Sequence, residues 1–179
     1  MLLARRIFFY YEVEFTAPMK TYNIFLHAAA TCDLSKGVWA AIIEDEERNL
    51  KHIETYNDAR TTHVATKWSA IISILEMLPK ECSINFVISD RLFVNWLEKI
   101  PRWIQDDFRN FQWNVDLVHK ESAKKVHMLS AFKKIQYFYE TEFTNTGIKM
   151  VKQMRFDCLN RKSSSIRTWS SDFKTMKYE

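Results

Sequence analysis

The sequence contains few of the residues that build tight turns and ligand-binding loops. It has two glycines and three prolines in 179 residues. Loops that wrap phosphate groups need glycine for positive φ angles and for close backbone approach, so glycine-rich nucleotide-binding sites are excluded. The three cysteines, Cys32, Cys82 and Cys158, are odd in number and form no C-x-x-C pair. This argues against a disulfide framework or a cysteine zinc site, and we expect an intracellular, reducing compartment, the cytoplasm or nucleus, or else an organelle.

Long apolar runs are also missing. No stretch approaches the roughly 20 residues that a membrane span requires, so we expect a soluble protein with no membrane partner. Residues 1–11 combine two arginines with a short apolar run, but Glu12 and Glu14 follow at once and no small-residue cleavage site appears. We interpret residues 1–20 as an N-terminal extension, with organelle targeting as the alternative.

Apolar and charged residues are present in the proportions of a folded protein. Hydrophobic residues make up 47% and aromatic residues 15% of the chain, more than a disordered chain carries. The net charge of +4 is uneven: residues 144–179 hold eight Lys/Arg against three Asp/Glu, and the rest hold 18 against 19. We therefore predict one domain over residues 21–143 and a basic tail over residues 144–179, of a kind that attaches to an acidic partner.

Hydrophobic spacing predicts alternating strands and helices. Strands are expected at Tyr22–Leu26, Val38–Ile43, Leu50–Tyr56, Ile84–Ser89 and Trp113–Val118. Helices are expected at Thr62–Leu78, capped by Thr61 or Thr62 and ended by Pro79, at Arg91–Lys99, ended by Pro101, and at Ala123–Tyr139, capped by Ser122. The order β β β α β α β α predicts an α/β fold with a mixed five-stranded sheet flanked by helices.

Four segments resemble the ribonuclease H superfamily, in its plant-type or retroelement form. Ile24–Ile43 is similar to the family's first hairpin, which carries Asp-Gly-Ser and then Gly-Trp-Gly-Ala-Ile, and Thr61–Leu78 is similar to its first helix, Thr-x-Asn-x-x-x-Glu. Ile84–Leu97 resembles the strand that ends in Ser-Asp-Ser, and Asp116–Phe132 resembles the ending Val-x-Arg-Glu-x-Asn-x-x-Ala-Asp-x-Leu-Ala. The resemblance covers residues 22–139 and implies the ribonuclease H-like fold.

The resemblance also implies where catalysis would occur. The family holds two magnesium ions with four carboxylates, on the first strand, the first helix, after the fourth strand and on the last helix. Those positions here hold His27, Lys67, Asp90 and His127. Magnesium requires hard oxygen ligands, and a lysine repels it. We therefore expect a degenerate member with no catalytic residues, no metal and no cofactor.

Each of these residues has a simpler interpretation as well. Asp90 is either a catalytic remnant or an ordinary helix N-cap, and we favour the cap. Lys67 either pairs with Asp90 or contacts a backbone phosphate. The two histidines with Asp90 form a two-histidine, one-carboxylate site for zinc or iron, or they are residues that drifted into positions freed from metal binding, which we favour.

The predicted tail mixes cations with aromatic residues. This mixture is typical of nucleic-acid-binding arms, and equally of a tail that docks on a protein. The candidate nucleic-acid-binding residues are Lys67, Lys149, Lys152, Arg155, Arg161, Lys162, Arg167 and Trp169.

Three functions follow from the sequence. The leading hypothesis is a non-catalytic module that binds RNA or an RNA/DNA hybrid, or scaffolds protein subunits, in a larger reverse-transcriptase-associated, ribosomal or viral assembly. The second is a pure protein-interaction subunit on the same fold. The third is a metal-dependent nuclease with an altered site at His27, Asp90 and His127.

Overall fold

The structure is a computed structural model and describes residues 19–108 and 117–169. Within these ranges the helices and strands follow the order β1 Thr21–Ala30, β2 Gly37–Asp45, β3 Leu50–Asn57, α1 His63–Met77, β4 Cys82–Ile88, α2 Arg91–Gln105, α3 Leu117–Ser130, β5 Lys133–Tyr139, α4 Thr146–Arg161 and β6 Ser165–Trp169. None of the helices in the described ranges is long and apolar enough to cross a membrane.

The strands form one mixed sheet. Its order is β5-β4-β1-β2-β3-β6 over the described residues. β1 runs antiparallel to β2, and β3 runs antiparallel to both β2 and β6. β4 lies parallel to β1 and to β5, so that Leu26 pairs with Ile88 near the carboxyl ends of β1 and β4. The predicted α/β class and mixed sheet are confirmed, with six strands in place of five.

Helices cover both faces of the sheet. On one face, residues of α1, α2 and α3 pack with Ile24, Leu26 and Ala28 of β1 in the main core. On the other face, Ile148 and Val151 of α4 pack against Ala40 and Ile42 of β2. Because successive strand residues point to opposite faces, β2 is buried along Gly37–Ile43, as a strand between two helical layers must be.

Two of the predicted helix caps are confirmed. The Thr62 side chain accepts a hydrogen bond from the Ala65 N–H at the start of α1. The Asp90 side chain likewise accepts a hydrogen bond from the Phe93 N–H at the start of α2, so the N-cap interpretation of Asp90 is correct.

The prediction that Pro101 ends α2 is wrong, since the helix continues to Gln105. Trp103 and Ile104 pack against the main core beyond the proline, and this burial favours the extra turn.

The predicted last helix, Ala123–Tyr139, is also wrong. It is two elements, because α3 ends at Ser130 and β5 begins at Lys133. Ser122 therefore lies inside α3 and does not cap it. In β5, Ile135 and Tyr137 pack against the core while Lys134, Gln136 and Phe138 are exposed, which is the two-residue period of a strand. The predicted fifth strand at 113–118 is wrong at Leu117 and Val118, which begin α3, and 113–116 lie outside the described residues.

The predicted boundary at residue 144 differs from the structure as well. Thr146–Arg161 is a helix packed on the sheet, and Ser165–Trp169 is the sixth strand. The helix is marked in the sequence by the Asn145 cap and by Ile148, Val151, Met154 and Cys158 at three- and four-residue spacing. Because these few apolar residues lie among many polar ones, the helical period is hard to detect in the sequence. Residues 1–18 and 170–179, in the predicted extension and tail, lie outside the described ranges.

Gly147 explains how closely α4 approaches the sheet. A Cβ placed on Gly147 would lie 2.4 Å from the Phe25 ring of β1. No other residue type leaves room for the ring there, so this glycine lets the first turn of α4 rest directly on β1. The position of α4 relative to the end of β1 is thereby set.

Candidate functional site

A small pocket opens where β1 and β4 end beside the first turns of α1 and α2. It has a volume of about 160 Å³, and its lining includes side chains from all four elements. Three of the four positions taken from the family resemblance meet there: His27 on β1, Lys67 on α1 and Asp90 after β4. His63 and Ser89 complete its polar lining. We call this the His27 pocket.

Lys67 and Asp90 form an ion pair in this pocket. The Lys67 Nζ donates a hydrogen bond to Asp90 Oδ2, while Asp90 Oδ1 accepts from the Phe93 N–H. Burial alone would raise the pKa of the Asp90 carboxyl, but the hydrogen bonds from Lys67 and Phe93 outweigh it, and the pKa lies below its usual value. Of the two partners that the sequence left open for Lys67, the structure shows Asp90. One ammonium group therefore supplies positive charge at this carboxylate.

His27 is held as a neutral side chain. Its Nδ1 lies 2.7 Å from the Ser89 hydroxyl oxygen. Burial is the main cause that lowers the pKa of His27 to about 4, and the positive charges of Arg155, Lys152 and Lys67 lower it further. At neutral pH the imidazole thus carries no charge, because burial and the mostly basic surroundings both disfavour its protonation.

The lowered pKa predicts acid sensitivity. The unfolded chain binds a proton at His27 near pH 6.5, and the folded chain only near pH 4, so protonation favours unfolding between these values. The contribution of His27 to the free energy of unfolding is expected to fall by about 3 kcal/mol between pH 7 and pH 4. Urea unfolding of the wild type and of His27→Asn across this range measures it, because asparagine keeps a polar contact to Ser89 without titrating. Parallel pH curves for the two proteins would contradict the assignment.

His127 lies elsewhere. It is on α3 and lines a separate groove of about 550 Å³ together with residues of α2 and β5, among them Glu98 and Tyr137. The assignment of His127 to the family's last-helix position is wrong because α3 is not the last helix of the described chain. Helix α4 takes that place, and its Lys152 and Arg155 are the residues that act electrostatically on His27.

The pocket does not suit a pair of magnesium ions. Asp90 is the one carboxylate that the described residues contribute to its lining, and it is already paired with Lys67. Within the described ranges, no group of three or more His, Cys, Asp and Glu side chains is close enough to hold a metal ion. Magnesium takes oxygen ligands in octahedral geometry, which an imidazole, a hydroxyl and a lysine-bound carboxylate do not provide. The donor set therefore does not fit the ions that the resemblance implies.

The other predicted binding residues fall into two groups. Lys149, Lys152 and Arg155 lie together on α4 and line a cleft with Glu142 and two phenylalanines. The remaining ones lie at the end of α4 and on β6. Arg161 donates to the buried Glu54 of β3, and Lys162 ends α4 in the left-handed conformation. Arg167 is exposed on β6 opposite His52, and the backbone of Trp169 pairs with Leu50.

The residues that sequence reasoning missed include His63 and Ser89, which line the His27 pocket, and Glu142 and Phe143, which line the cleft on α4. Ser89 is predicted only as the end of a strand, although its place before Asp90 puts it beside β1. Glu142 and Phe143 follow β5, which the apolar spacing wrongly predicts as part of a helix. The succession of aromatic residues Tyr137, Phe138 and Tyr139 is a β-strand signal, and the end of that strand brings Glu142 and Phe143 to the same edge of the sheet.

The architecture is that of ribonuclease H domains, as comparison with solved structures shows. LC9-RNase H1, described as a type 1 RNase H with the type 2 active-site motif, superimposes with a TM-score of 0.69 at 8% identity, covering 88% of this chain and 81% of its own. RNase H1 from the archaeon Halobacterium salinarum superimposes with a TM-score of 0.59 at 10% identity, covering 79% of this chain and 98% of its own. The N-terminal RNase H domain of a Mycobacterium tuberculosis protein superimposes with a TM-score of 0.58 at 10% identity, covering 79% of this chain and 95% of its own.

At identities this low, the structural similarity shows a shared fold and no more. No protein-family model and no curated protein sequence matches this chain. The chain therefore has a ribonuclease H-like fold, while the residues at the site differ from those that the resemblance implies for the family.

Proposed function

We propose that this protein binds RNA or an RNA/DNA hybrid without cleaving it, as a subunit of a larger nucleoprotein assembly. One observation carries the proposal: the Lys67 ammonium group pairs with Asp90, where the fold's catalytic carboxylates would hold metal ions. Cleavage of a phosphodiester by a two-metal site needs ions bound to both reacting oxygens. A lysine at that position removes the means of cutting and adds a positive charge.

The charges around the pocket support binding. Lys149, Lys152 and Arg155 lie together on α4, where Lys152 and Arg155 are close enough to His27 to act on its charge and Lys152 is paired with Glu142. Lysine and arginine side chains that neutralise backbone phosphates supply most of the affinity of sequence-independent binding. LC9-RNase H1 and the Halobacterium salinarum RNase H1, two solved structures that share this fold, are ribonucleases H, which supports a nucleic acid as the ligand class. We infer that the α4 cations hold the phosphate backbone beside the inactive pocket.

Salt-dependent binding tests the proposal. The wild type is expected to bind a fluorescent RNA/DNA hybrid at low salt, with an affinity that falls steeply as salt rises. Replacing Lys149 and Lys152 with glutamine should weaken binding and reduce the slope of log K against log salt by about one for each phosphate that is no longer neutralised. Lys124→Gln combined with Lys125→Gln, on α3, serves as the charge-matched control. Equal affinities for the two double variants would contradict the proposal.

A protein-interaction subunit is the second candidate function. The observation that favours it is the groove lined by His127, which is bordered by the outer edge of β5 and by the exposed side chain of Phe138. Exposed aromatic side chains beside a strand edge are typical of protein contacts. Absence of any hybrid binding at low salt would favour this function. A metal-dependent nuclease built on His27, Asp90 and His127 has less support, because His127 and Asp90 line different cavities.

A further inference from the structure

An exposed pair of phenylalanines stands beside the cations of α4. The Phe143 side chain is 90% exposed and that of Phe156 is 53% exposed. Both line a cleft of about 510 Å³, a size typical of small-ligand sites. We call it the Phe143 cleft, and its remaining lining residues are Glu142, Lys149, Lys152, Gln153 and Arg155.

The exposure of Phe143 is fixed by the turn that carries it. Between β5 and α4, the Thr144 hydroxyl donates to Glu140, and the Asn145 N–H donates to the Thr141 carbonyl at 2.9 Å. Asn145 in turn caps α4 by accepting from the Ile148 N–H. Hydrogen bonds on both sides of Phe143 therefore hold the backbone in a defined turn that directs this ring outward. The apolar ring is displayed to solvent by an ordered segment.

The charges in the cleft favour an anionic ligand. Among the residues that the structure describes, three cations line it against one carboxylate, Glu142, which Lys152 already neutralises. Lys149 has no ion-pair partner in the part of the chain that the structure describes. The Arg155 Nε is buried and makes no hydrogen bond to a described residue. A protein-docking surface is typically depleted of lysine at its centre, so the composition favours a phosphate-bearing ligand over a protein.

We propose that the Phe143 cleft binds unpaired nucleotides of a single strand, whose bases stack on Phe143 and Phe156 and whose phosphates contact Lys149 and Arg155. This inference rests on the proposed function and narrows it to a strand type at this site. Bases within a duplex are stacked on one another and present only their edges, so a protruding phenylalanine ring finds a free base face only on unpaired nucleotides. Two rings in one cleft provide for about two bases.

The cleft adjoins the His27 pocket. Glu142, Lys152 and Arg155 lie close enough to His27 to influence its charge, and these same residues line the cleft. A strand held by the Phe143 cleft would thus continue toward Lys67. The cleft and the pocket together form one basic surface with aromatic rings at its outer end.

Fluorescence anisotropy with a single-stranded 12-mer RNA and with an RNA/DNA hybrid of the same length tests this inference. Phe143→Ala and Phe156→Ala should each weaken single-strand binding roughly 5-fold or more and leave the salt slope unchanged, since stacking carries no charge. Hybrid affinity should stay within about 2-fold. Phe143→Trp should retain single-strand binding. Phe132→Ala removes another exposed phenylalanine, at the opposite end of β5, and should have no effect.

The outcomes separate this inference from the proposed function. Thermal unfolding should be unchanged in Phe143→Ala, because the ring is exposed, and a weaker affinity then reports binding. If the wild type binds the hybrid but not the single strand, or if both alanine variants keep wild-type affinity for the single strand, the inference is overturned while the proposed function stands. If the wild type binds neither probe at low salt, both are overturned.

Discussion

Lys67→Glu is expected to destabilise the protein and to make its stability dependent on divalent cations. The substitution removes the ammonium group that pairs with Asp90 and sets a second carboxylate against it. Unit charges 4 Å apart interact by about 4 kcal/mol at an effective dielectric of 20. Both side chains are partly exposed, so we expect a loss of about 2–3 kcal/mol in the free energy of unfolding after screening by solvent.

Lys67→Gln is the matched control for this prediction. Glutamine removes the positive charge without adding a negative one, so it should lose less stability and should not respond to metal. Adding millimolar Mg²⁺ or Ca²⁺ should raise the melting temperature of Lys67→Glu alone, since an ion that binds only the folded state stabilises it. If Lys67→Glu is as stable as Lys67→Gln and insensitive to cations, then Lys67 does not neutralise Asp90 as described.

Arg161→Met is expected to lower the free energy of unfolding by about 3 kcal/mol, because it leaves a buried carboxylate without its positively charged partner. The Glu54 side chain on β3 is 7% exposed and accepts hydrogen bonds from Arg161 and from Ser165. These bonds join α4 and β6 to β3. Methionine keeps the apolar stem of arginine but leaves Glu54 without its cation.

Lys162→Met tests whether the effect is specific. Lys162 follows Arg161 directly, is exposed, and makes no ion pair with a described residue, so its replacement should change stability by no more than about 0.5 kcal/mol. Glu54→Gln combined with Arg161→Met should be less destabilised than the two single variants predict together. Equal stabilities for Arg161→Met and Lys162→Met would mean that Arg161 is free for nucleic-acid binding and has no structural role.

The first part of the fold could be predicted because its signals are local. Strands β1 to β4 and helix α1 are marked by apolar periodicity, by the Thr62 and Asp90 caps and by Pro79 after α1. The second half could not be predicted in the same way. The apolar residues continue from α3 through Ala131 and Phe132 into β5, so the sequence contains no visible break between the helix and the strand. Only pairing with β4, which is distant in sequence, makes Lys133–Tyr139 a strand.

The same difference between local and long-range signals applies to the candidate site. The family resemblance placed His27, Lys67 and Asp90 at one site, and it could be aligned there because each residue lies on or directly after a well-marked strand or helix. The fourth position depended on identifying the last helix, and the misplaced helix led to His127. The basic residues beside His27 belong to α4, whose buried face consists of only a few apolar residues. Their proximity to β1 follows from Gly147 against Phe25, a contact that no local pattern reveals.

Cleavage of a labelled RNA/DNA hybrid tests whether this protein binds nucleic acid without cutting it. Purified protein is incubated with the hybrid in Mg²⁺ and in Mn²⁺, beside the Asp90→Asn variant, while binding of the same hybrid is followed by anisotropy. We expect binding by the wild type and no cleavage above the Asp90→Asn background in either metal. Hybrid cleavage by the wild type that Asp90→Asn abolishes would show that Asp90 still serves catalysis, and would contradict this expectation.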